Sequence, residues 1–223
     1  MMTLYYPTLA KPLRFEENTV NVLVIENPAE LRYAVAELMC QTGGGEGAFV
    51  LGIDNEIADL GRLGETVMNP FDLEFESRKS EGCINREAAE AAEDFEEEFR
   101  DLTAKLNVLA SKVTVKMSTD VTYTELDGPE KLLKLMGFHV DSDALDLPER
   151  MLEYMLLRRR FFGKELFVIY GLKALLTREE SELFYRSAFY AKINLLMLES
   201  AHREDNFPCE KVTIVDKDLC IID

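Results

Sequence analysis

The apolar residues between Asn85 and Lys116 recur at the spacing of one face of a long helix. They follow steps of 4, 3, 4, 3 and 4 and are Phe95, Phe99, Leu102, Leu106, Leu109 and Val113. Side chains at these steps share one side of an α-helix, because the helix turns about 100° per residue. The pattern therefore predicts a long helix that starts at Asn85 and packs along this apolar stripe.

A second stripe lies about 120° around the same predicted helix and is acidic in its first half and basic in its second. Its members are Glu87, Glu90, Asp94, Glu97, Asp101, Lys105, Lys112 and Lys116. Acids near the start and bases near the end suit the helix macrodipole, which is typical of a stabilised, solvated face. The stripe also permits an assembly face, since two antiparallel copies would set acid against base. Its lysines could instead bind phosphates, and the sequence alone leaves the three interpretations open.

The charge of the whole chain limits its partners. Its 223 residues carry a net charge of −17 with a pI of about 4.6. A uniformly acidic surface repels nucleic acid, so any DNA contact needs a local basic patch. The acidity permits divalent cations as ligands, although solubility explains it equally well.

Cysteine and histidine give no metal or disulfide signature. The four cysteines lack CxxC spacing, and His139 and His202 have no partners at metal-ligand intervals, so we expect reduced structural thiols. The N-terminus has no signal pattern, and no apolar run reaches about 18 residues. The sequence predicts a cytoplasmic protein that does not contact a membrane.

Outside the long helix, strands and helices alternate, which favours an α/β fold with a mainly parallel sheet covered by helices. Strands are predicted at Thr3–Leu9, Val20–Ile25, Ala48–Ile53, Phe71–Phe75, Leu166–Tyr170, Ile193–Leu198, Val212–Val215 and Leu219–Ile222. Shorter helices are predicted after Asn27, over Pro129–Met136, after Pro148 and after Thr177. We expect a head domain of residues 1–76 and 139–223, with a helical leg inserted at 77–138.

Signatures of catalysis are absent from the sequence. The glycines between Gly43 and Gly47 follow a helix and lack the lysine of a phosphate-binding loop. There is no GxSxG elbow, and neither histidine accompanies a nucleophile motif. We therefore assign no catalytic residue and expect that the protein is not an enzyme.

Three acids at the end of the leg are candidate metal ligands: Asp120, Glu125 and Asp127. Glu125 and Asp127 are two residues apart, so both carboxylates face one side of an extended chain. Hard oxygen ligands of this kind could hold Ca²⁺. Solvated turn acids are the alternative.

Five segments, in this order, resemble a known family. They are PLRF at 12–15, NPFDL at 69–73, YTELD at 123–127, LLKLM at 132–136 and ELFVIYGLKALLT at 165–177. The chain resembles the accessory spacer-adaptation protein of type II-A CRISPR systems. Each motif is mainly a hydrophobic pattern, so their order and spacing carry the resemblance.

This resemblance implies an α/β head that is similar to P-loop ATPases but has no working nucleotide site. It implies a homotetrameric ring, with calcium ions near the junction of head and leg. Double-stranded DNA would enter the ring by its free ends, without sequence specificity or catalysis. The implied partners in spacer acquisition, a step of antiviral defence, are the CRISPR adaptation integrase and the effector nuclease.

The family's sites transfer only in part. Glu125 and Asp127 lie in the segment that resembles its calcium-binding stretch, and Asp120 is close by. The candidates for the DNA-facing wall are the leg lysines Lys105, Lys112, Lys116, Lys131 and Lys134. Two alternatives stay open: a nucleotide-dependent enzyme with an atypical phosphate loop, and a protein-interaction scaffold that ignores DNA.

Overall fold

The described strands form one sheet of four strands and one of six. A computed structural model describes residues 1–75, 77–141, 145–203 and 207–222. The strands are β1 (Met2–Tyr5), β2 (Leu13–Phe15), β3 (Val20–Ile25), β4 (Val50–Ile53), β5 (Glu56–Ala58), β6 (Gly64–Val67), β7 (Leu166–Tyr170), β8 (Asn194–Glu199), β9 (Glu210–Val215) and β10 (Ile221–Ile222).

The described helices are α1 (Pro28–Thr42), α2 (Leu60–Leu63), α3 (Arg78–Ala91), α4 (Glu96–Thr114), α5 (Pro129–Met136), α6 (Leu147–Phe162) and α7 (Arg178–Tyr190). Two 3₁₀ turns cover Ala92–Phe95 and Leu172–Ala174. The mixed α/β class predicted from the sequence is confirmed.

The six-stranded sheet has the order β10-β9-β3-β8-β7-β6. β9, β3, β8, β7 and β6 run parallel, and β10 is antiparallel to β9. All six residues of β3 are buried, and its nearly continuous apolar sequence is typical of a strand covered on both faces. α1 follows this strand and buries Ala34 and Leu38 in the same apolar core.

The four-stranded sheet is antiparallel, with the order β2-β1-β4-β5. It contributes Leu4, Phe15 and Leu51 to the core that also contains Leu23 and Val168 of the larger sheet. The predicted first strand ends earlier than expected, at Tyr5. Proline at position 7 has no N–H for a sheet hydrogen bond, so pairing stops before it.

The prediction of a strand at Phe71–Phe75 is wrong. Asn69 forms a turn there, because its side-chain oxygen accepts from the N–H of Phe71 and its backbone oxygen accepts from the N–H of Asp72. Asparagine followed by proline commonly starts such turns. The apolar residues Leu73 and Phe75 are buried without pairing in a sheet.

The chain divides into two compact units. Unit 1 contains Met1–Leu73 and Ser142–Asp223, and unit 2 contains Glu74–Asp141. Both sheets belong to unit 1, whereas unit 2 contains α3, α4 and α5. Among the described residues, no helix has the length and apolar character needed to cross a membrane.

The prediction of a single long helix from Asn85 is wrong. α3 starts earlier, at Arg78, with Ser77 as part of a capping box, and the 3₁₀ turn at Ala92–Phe95 separates it from α4. Around this turn Glu93 and Glu97 are four residues apart, a spacing at which like charges destabilise an α-helix. The change of helix type interrupts the continuous face that the sequence pattern predicted.

Candidate functional site

The acidic segment between α4 and α5 is anchored on α4 by Asn107. The side-chain amide of Asn107 donates to the backbone oxygen of Leu126 and accepts from its N–H, both at 3.0 Å. Tyr123 adds two contacts, because its hydroxyl donates to the backbone oxygen of Asn107 at 3.0 Å and lies 2.7 Å from Ser111 Oγ. These contacts hold the backbone of Leu126 and the side chain of Tyr123, so the chain is anchored on both sides of Glu125.

The three predicted calcium ligands are solvent-exposed in this segment. Asp127 Oδ1 lies 2.9 Å from Lys131 Nζ, and hydrogen bonding to Lys131 lowers the pKa of the Asp127 carboxyl group. Within the described residues, no group of three or more His, Cys, Asp or Glu side chains is arranged to hold a metal. The structure thus brings together one predicted calcium ligand and one predicted DNA-binding lysine.

The five predicted DNA-binding lysines are all exposed in unit 2. Lys105 and Lys112 are seven residues apart on α4, which places them within about 20° of one another around the helix. Lys116 follows in the turn after α4. Lys131 and Lys134 lie one turn apart on α5. The second half of α4 and the turn after it therefore carry three exposed lysines, which form the α4 lysine row (Lys105, Lys112 and Lys116).

The apolar stripe of α4 is only partly covered. Phe99 and Leu106 are half-buried. Leu102, Leu109 and Val113 keep 46%, 56% and 52% of their surface exposed, and Phe95 in the preceding 3₁₀ turn keeps 55%. Such a row of large apolar side chains is a typical feature of an interaction surface.

The connection between β3 and α1 is closed to a phosphate. It contains only Glu26 and Asn27, and the Asn27 side chain accepts from the N–H groups of Ala29 and Glu30. In a phosphate-binding loop, the free N–H groups at this helix start would bind the nucleotide. The glycines after α1 lie at the wrong end of the helix for a phosphate. Gly43 caps the carboxyl end of α1, where the helix dipole is negative.

The three consecutive arginines of α6 have three different partners. Arg158 pairs with Glu65 at 2.8 Å, and Arg159 pairs with Glu165 at 3.4 Å. The guanidinium group of Arg160 lies over the ring of Phe161. Two of the three thus neutralise acidic neighbours.

Sequence reasoning missed Asn107 and Tyr123, which position the acidic segment. A usable signal was present, because asparagine is unfavourable inside an α-helix and Asn107 lies in the middle of α4. Such a residue commonly uses its side chain to bind backbone groups. The spacing of the two partners, 19 residues apart, could not have been derived from a helical pattern.

Comparison with known proteins identifies the family. Among solved structures, the chain is similar to cbiO1 from Clostridium perfringens, part of the ABC transporter complex cbiONQ, with 9% identity, a TM-score of 0.47 and coverage of 96% of this chain and 83% of that chain. A comparison with curated protein sequences gives no match. Residues 67–219 match the profile of the family described as CRISPR-associated protein (Cas_Csn2). Because this match spans more than half of the chain, the resemblance predicted from the sequence is confirmed, and the chain belongs to the Cas_Csn2 family of CRISPR-associated proteins.

Proposed function

We propose that this protein binds the free ends of double-stranded DNA without sequence specificity, as a calcium-stabilised homotetrameric ring. It would act without catalysis in spacer acquisition, together with the adaptation integrase and the effector nuclease. The observation that carries the DNA-binding proposal is the α4 lysine row. In a chain with a net charge of −17, three exposed lysines along the second half of one helix and the turn after it are a local basic surface of the kind that DNA requires.

Lysine contacts with phosphates carry no sequence information, which suits a protein that accepts any DNA end. The acidic remainder of the surface would repel the duplex and direct it towards the lysines. Lys131 and Lys134 of α5 extend the basic surface in our proposal, although Lys131 must exchange Asp127 for a phosphate.

The assembly proposal is supported by the exposed apolar side chains of α4. We propose that unit 2 is the leg and unit 1 the head, close to the predicted division at residues 77–138. The stripe of Leu102, Leu109 and Val113, together with Phe95 in the preceding 3₁₀ turn, would be covered by a second copy. Its flanks carry acids near the start of the helix and lysines near its end, so an antiparallel pair would be charge-complementary.

The calcium proposal is supported by the chemistry and anchoring of the acidic segment. Carboxylate oxygens are the preferred side-chain ligands of Ca²⁺, and backbone carbonyls and water commonly complete its shell. Asn107 and Tyr123 hold this segment in place. Glu125, Asp127 and Asp120 would supply the carboxylates, and Asp127 would have to leave Lys131 to do so. Bound calcium would also neutralise part of the acidic charge beside the lysines.

A mobility shift with linear and covalently closed circular DNA, each in Ca²⁺ and in EGTA, tests the proposal. We expect calcium-dependent binding to linear DNA only. Replacing Lys105 and Lys112 by glutamine should weaken binding and reduce the slope of log affinity against log salt by about two. Lys217→Gln, an exposed lysine of unit 1, is the matched control and should leave the slope unchanged.

Two other outcomes would replace the proposal. An oligomer that binds neither DNA form would favour the protein-interaction scaffold, for which the exposed stripe of α4 is equally suited. Release of phosphate from ATP would favour a nucleotide-dependent enzyme. The Asn27 cap disfavours the second outcome because it already occupies the N–H groups at the start of α1.

A further inference from the structure

An open cleft of about 380 Å³ lies in unit 1, far in sequence from the leg lysines. It is bordered by the loop before β2, by β2 itself and by residues of β3, β9 and β10. The polar side chains along it are Lys11, Arg14, Glu16, Asn21, Lys211 and Thr213. Three of them are cations and one is a carboxylate, although acids outnumber bases by 42 to 25 in the whole chain.

The cleft already stabilises one oxyanion, the carboxylate of Glu16. Lys211 Nζ lies 2.7 Å from Glu16 Oε2. The hydrogen bond and charge of Lys211, with a smaller contribution from Arg14, hold the pKa of Glu16 below its ordinary value. Both cations therefore act on the same carboxylate, and a second oxyanion placed there would meet the same field.

The backbone that carries these cations is fixed by a buried side chain. Asn21 is only 2% exposed, and its Nδ2 donates to the backbone oxygen of Arg14 at 3.1 Å. Asn21 also lies opposite Lys211 in the parallel pairing of β3 with β9. The buried amide of Asn21 thus connects β2, which carries Arg14, to β3, which pairs with the strand of Lys211, β9. Sites on strands hold their side chains more precisely than sites on loops.

The position of the cleft separates it from a nucleotide site of the P-loop kind. Asn21 and Lys211 are the second residues of β3 and β9. Ligands of open α/β sheets bind beyond the carboxyl ends of the strands. In β3 that end is followed by Asn27, whereas the cleft lies at the amino end. The cleft is therefore not a remnant of that nucleotide site.

We propose that this cleft binds a phosphate group, with Arg14 and Lys211 as its ligands and Glu16 as the internal anion that the phosphate displaces. The phosphate belongs either to a free phosphorylated compound or to a nucleic-acid backbone. This inference goes beyond the proposed function, because it needs neither the ring nor the leg lysines.

Calorimetric titration of the full chain with inorganic pyrophosphate tests the proposal. Arg14→Gln and Lys211→Gln should each weaken binding by roughly fivefold, the upper range for one exposed ionic contact. Glu16→Gln should tighten binding by a similar factor, because it removes the competing carboxylate. Lys217→Gln, which also removes one exposed positive charge from unit 1, should change nothing. These four side chains are exposed, so we expect each variant to fold, and a thermal unfolding scan of each variant checks this.

The opposite signs of the substitutions make the outcome decisive. The proposal is overturned if wild-type and Glu16→Gln proteins both fail to bind pyrophosphate, if Glu16→Gln weakens binding, or if Arg14→Gln and Lys211→Gln bind as wild type. A second titration with a short linear duplex identifies the source. Loss of about one unit of salt slope per cation supports backbone phosphates, whereas unchanged duplex binding with loss of pyrophosphate supports a free phosphorylated compound.

Discussion

The side-chain amide of Asn107 forms two hydrogen bonds with the backbone of Leu126, one in each direction and both at 3.0 Å. It thereby imitates a neighbouring strand for a segment that has no strand partner among the described residues. The positions of Glu125 and Asp127, the two neighbours of Leu126, therefore depend on a residue that lies 19 positions before Leu126 in the sequence.

We expect Asn107→Ala to release the acidic segment. Loss of both hydrogen bonds should lower the free energy of unfolding of unit 2 by about 1–2 kcal/mol. Hydrogen exchange of the Leu126 amide should accelerate, since its acceptor is gone. Asn107→Asp keeps the acceptor for that amide but loses the donor, so its effect should be intermediate. Equal exchange rates in wild-type and Asn107→Ala proteins would contradict the anchoring role.

The contact between Lys131 and Asp127 predicts a competition between calcium and lysine. We expect Lys131→Gln to raise calcium affinity, because Asp127 no longer has to leave a cation. The pKa of Asp127 should rise towards its ordinary value in the same variant, since the hydrogen bond to Lys131 is what lowers it. NMR titration of the carboxyl group and calorimetry with Ca²⁺ measure the two effects.

Lys134→Gln is the matched control for this competition, because Lys134 lies on the same helix one turn beyond Lys131, and it is Lys131 that pairs with Asp127. It should leave both the Asp127 pKa and calcium affinity near their wild-type values. If calcium affinity is the same in the Lys131→Gln and wild-type proteins while the pKa rises, Asp127 is not a calcium ligand.

The sequence predicted those elements whose signals are local. The burial of β3 followed from its apolar run, and the start of α1 followed from Asn27 with Pro28 behind it. α7 also begins after Thr177 as predicted, with Thr177 and Glu180 forming a capping box. Caps and apolar runs depend on neighbouring residues, so one sequence is sufficient to recognise them.

Features that depend on residues far apart in the chain could not be predicted from the sequence. The break at Ala92–Phe95 contains neither glycine nor proline, so no standard stop signal marked it. The pairing of Asn107 with Leu126 and the four-stranded sheet require contacts that periodicity does not encode. The site lysines could be chosen as a row on α4, but the attachment of Lys131 to Asp127 could be found only in the folded chain.

The buried pair of Lys173 and Glu210 is expected to be important for the stability of unit 1. Their side chains are 5% and 0% exposed, and their charged atoms are 2.8 Å apart. Glu210 also accepts from Tyr185 Oη at 2.7 Å and from the N–H of Phe207 at 3.1 Å. Replacing Lys173 by methionine leaves a buried carboxylate without its cation, which should cost about 3 kcal/mol.

Urea unfolding measures this cost, and Lys211→Gln is the control. Lys211 follows Glu210 directly but is exposed, so its replacement should change the unfolding midpoint little. The double variant Lys173→Met with Glu210→Leu should recover part of the loss, because no buried charge remains unpaired. A single-variant cost as small as that of Lys211→Gln would show that the buried pair contributes little.

Burial of Glu199 predicts that replacing this residue stabilises the protein in a pH-dependent way, whereas replacing Lys173 destabilises it. Desolvation raises the pKa of this carboxyl group above its ordinary value, despite a hydrogen bond from the N–H of Lys173. The ionised carboxylate therefore lowers the free energy of unfolding at pH values above its pKa in the folded protein. This loss decreases as the pH falls and disappears below the pKa of the unfolded chain. Glu199→Gln should stabilise the protein at pH near 7 and have no effect below about pH 4. Unfolding midpoints of both proteins across this range test the sign, and a destabilised variant at neutral pH would refute it.

The exposed stripe of α4 should decide whether unit 2 self-associates. Leu102 and Leu109 are 46% and 56% exposed, so replacing either by glutamate should change the stability of the chain by less than about 0.5 kcal/mol. If a second copy covers them, each substitution should weaken association by about tenfold or more, because a charge would be buried in an apolar contact. Leu183→Glu is the control, since Leu183 of α7 is 48% exposed in unit 1. Sedimentation velocity over a concentration series measures the association. The same oligomeric state in all three variants and the wild type would place the interface elsewhere, and the stripe would then be available to another protein.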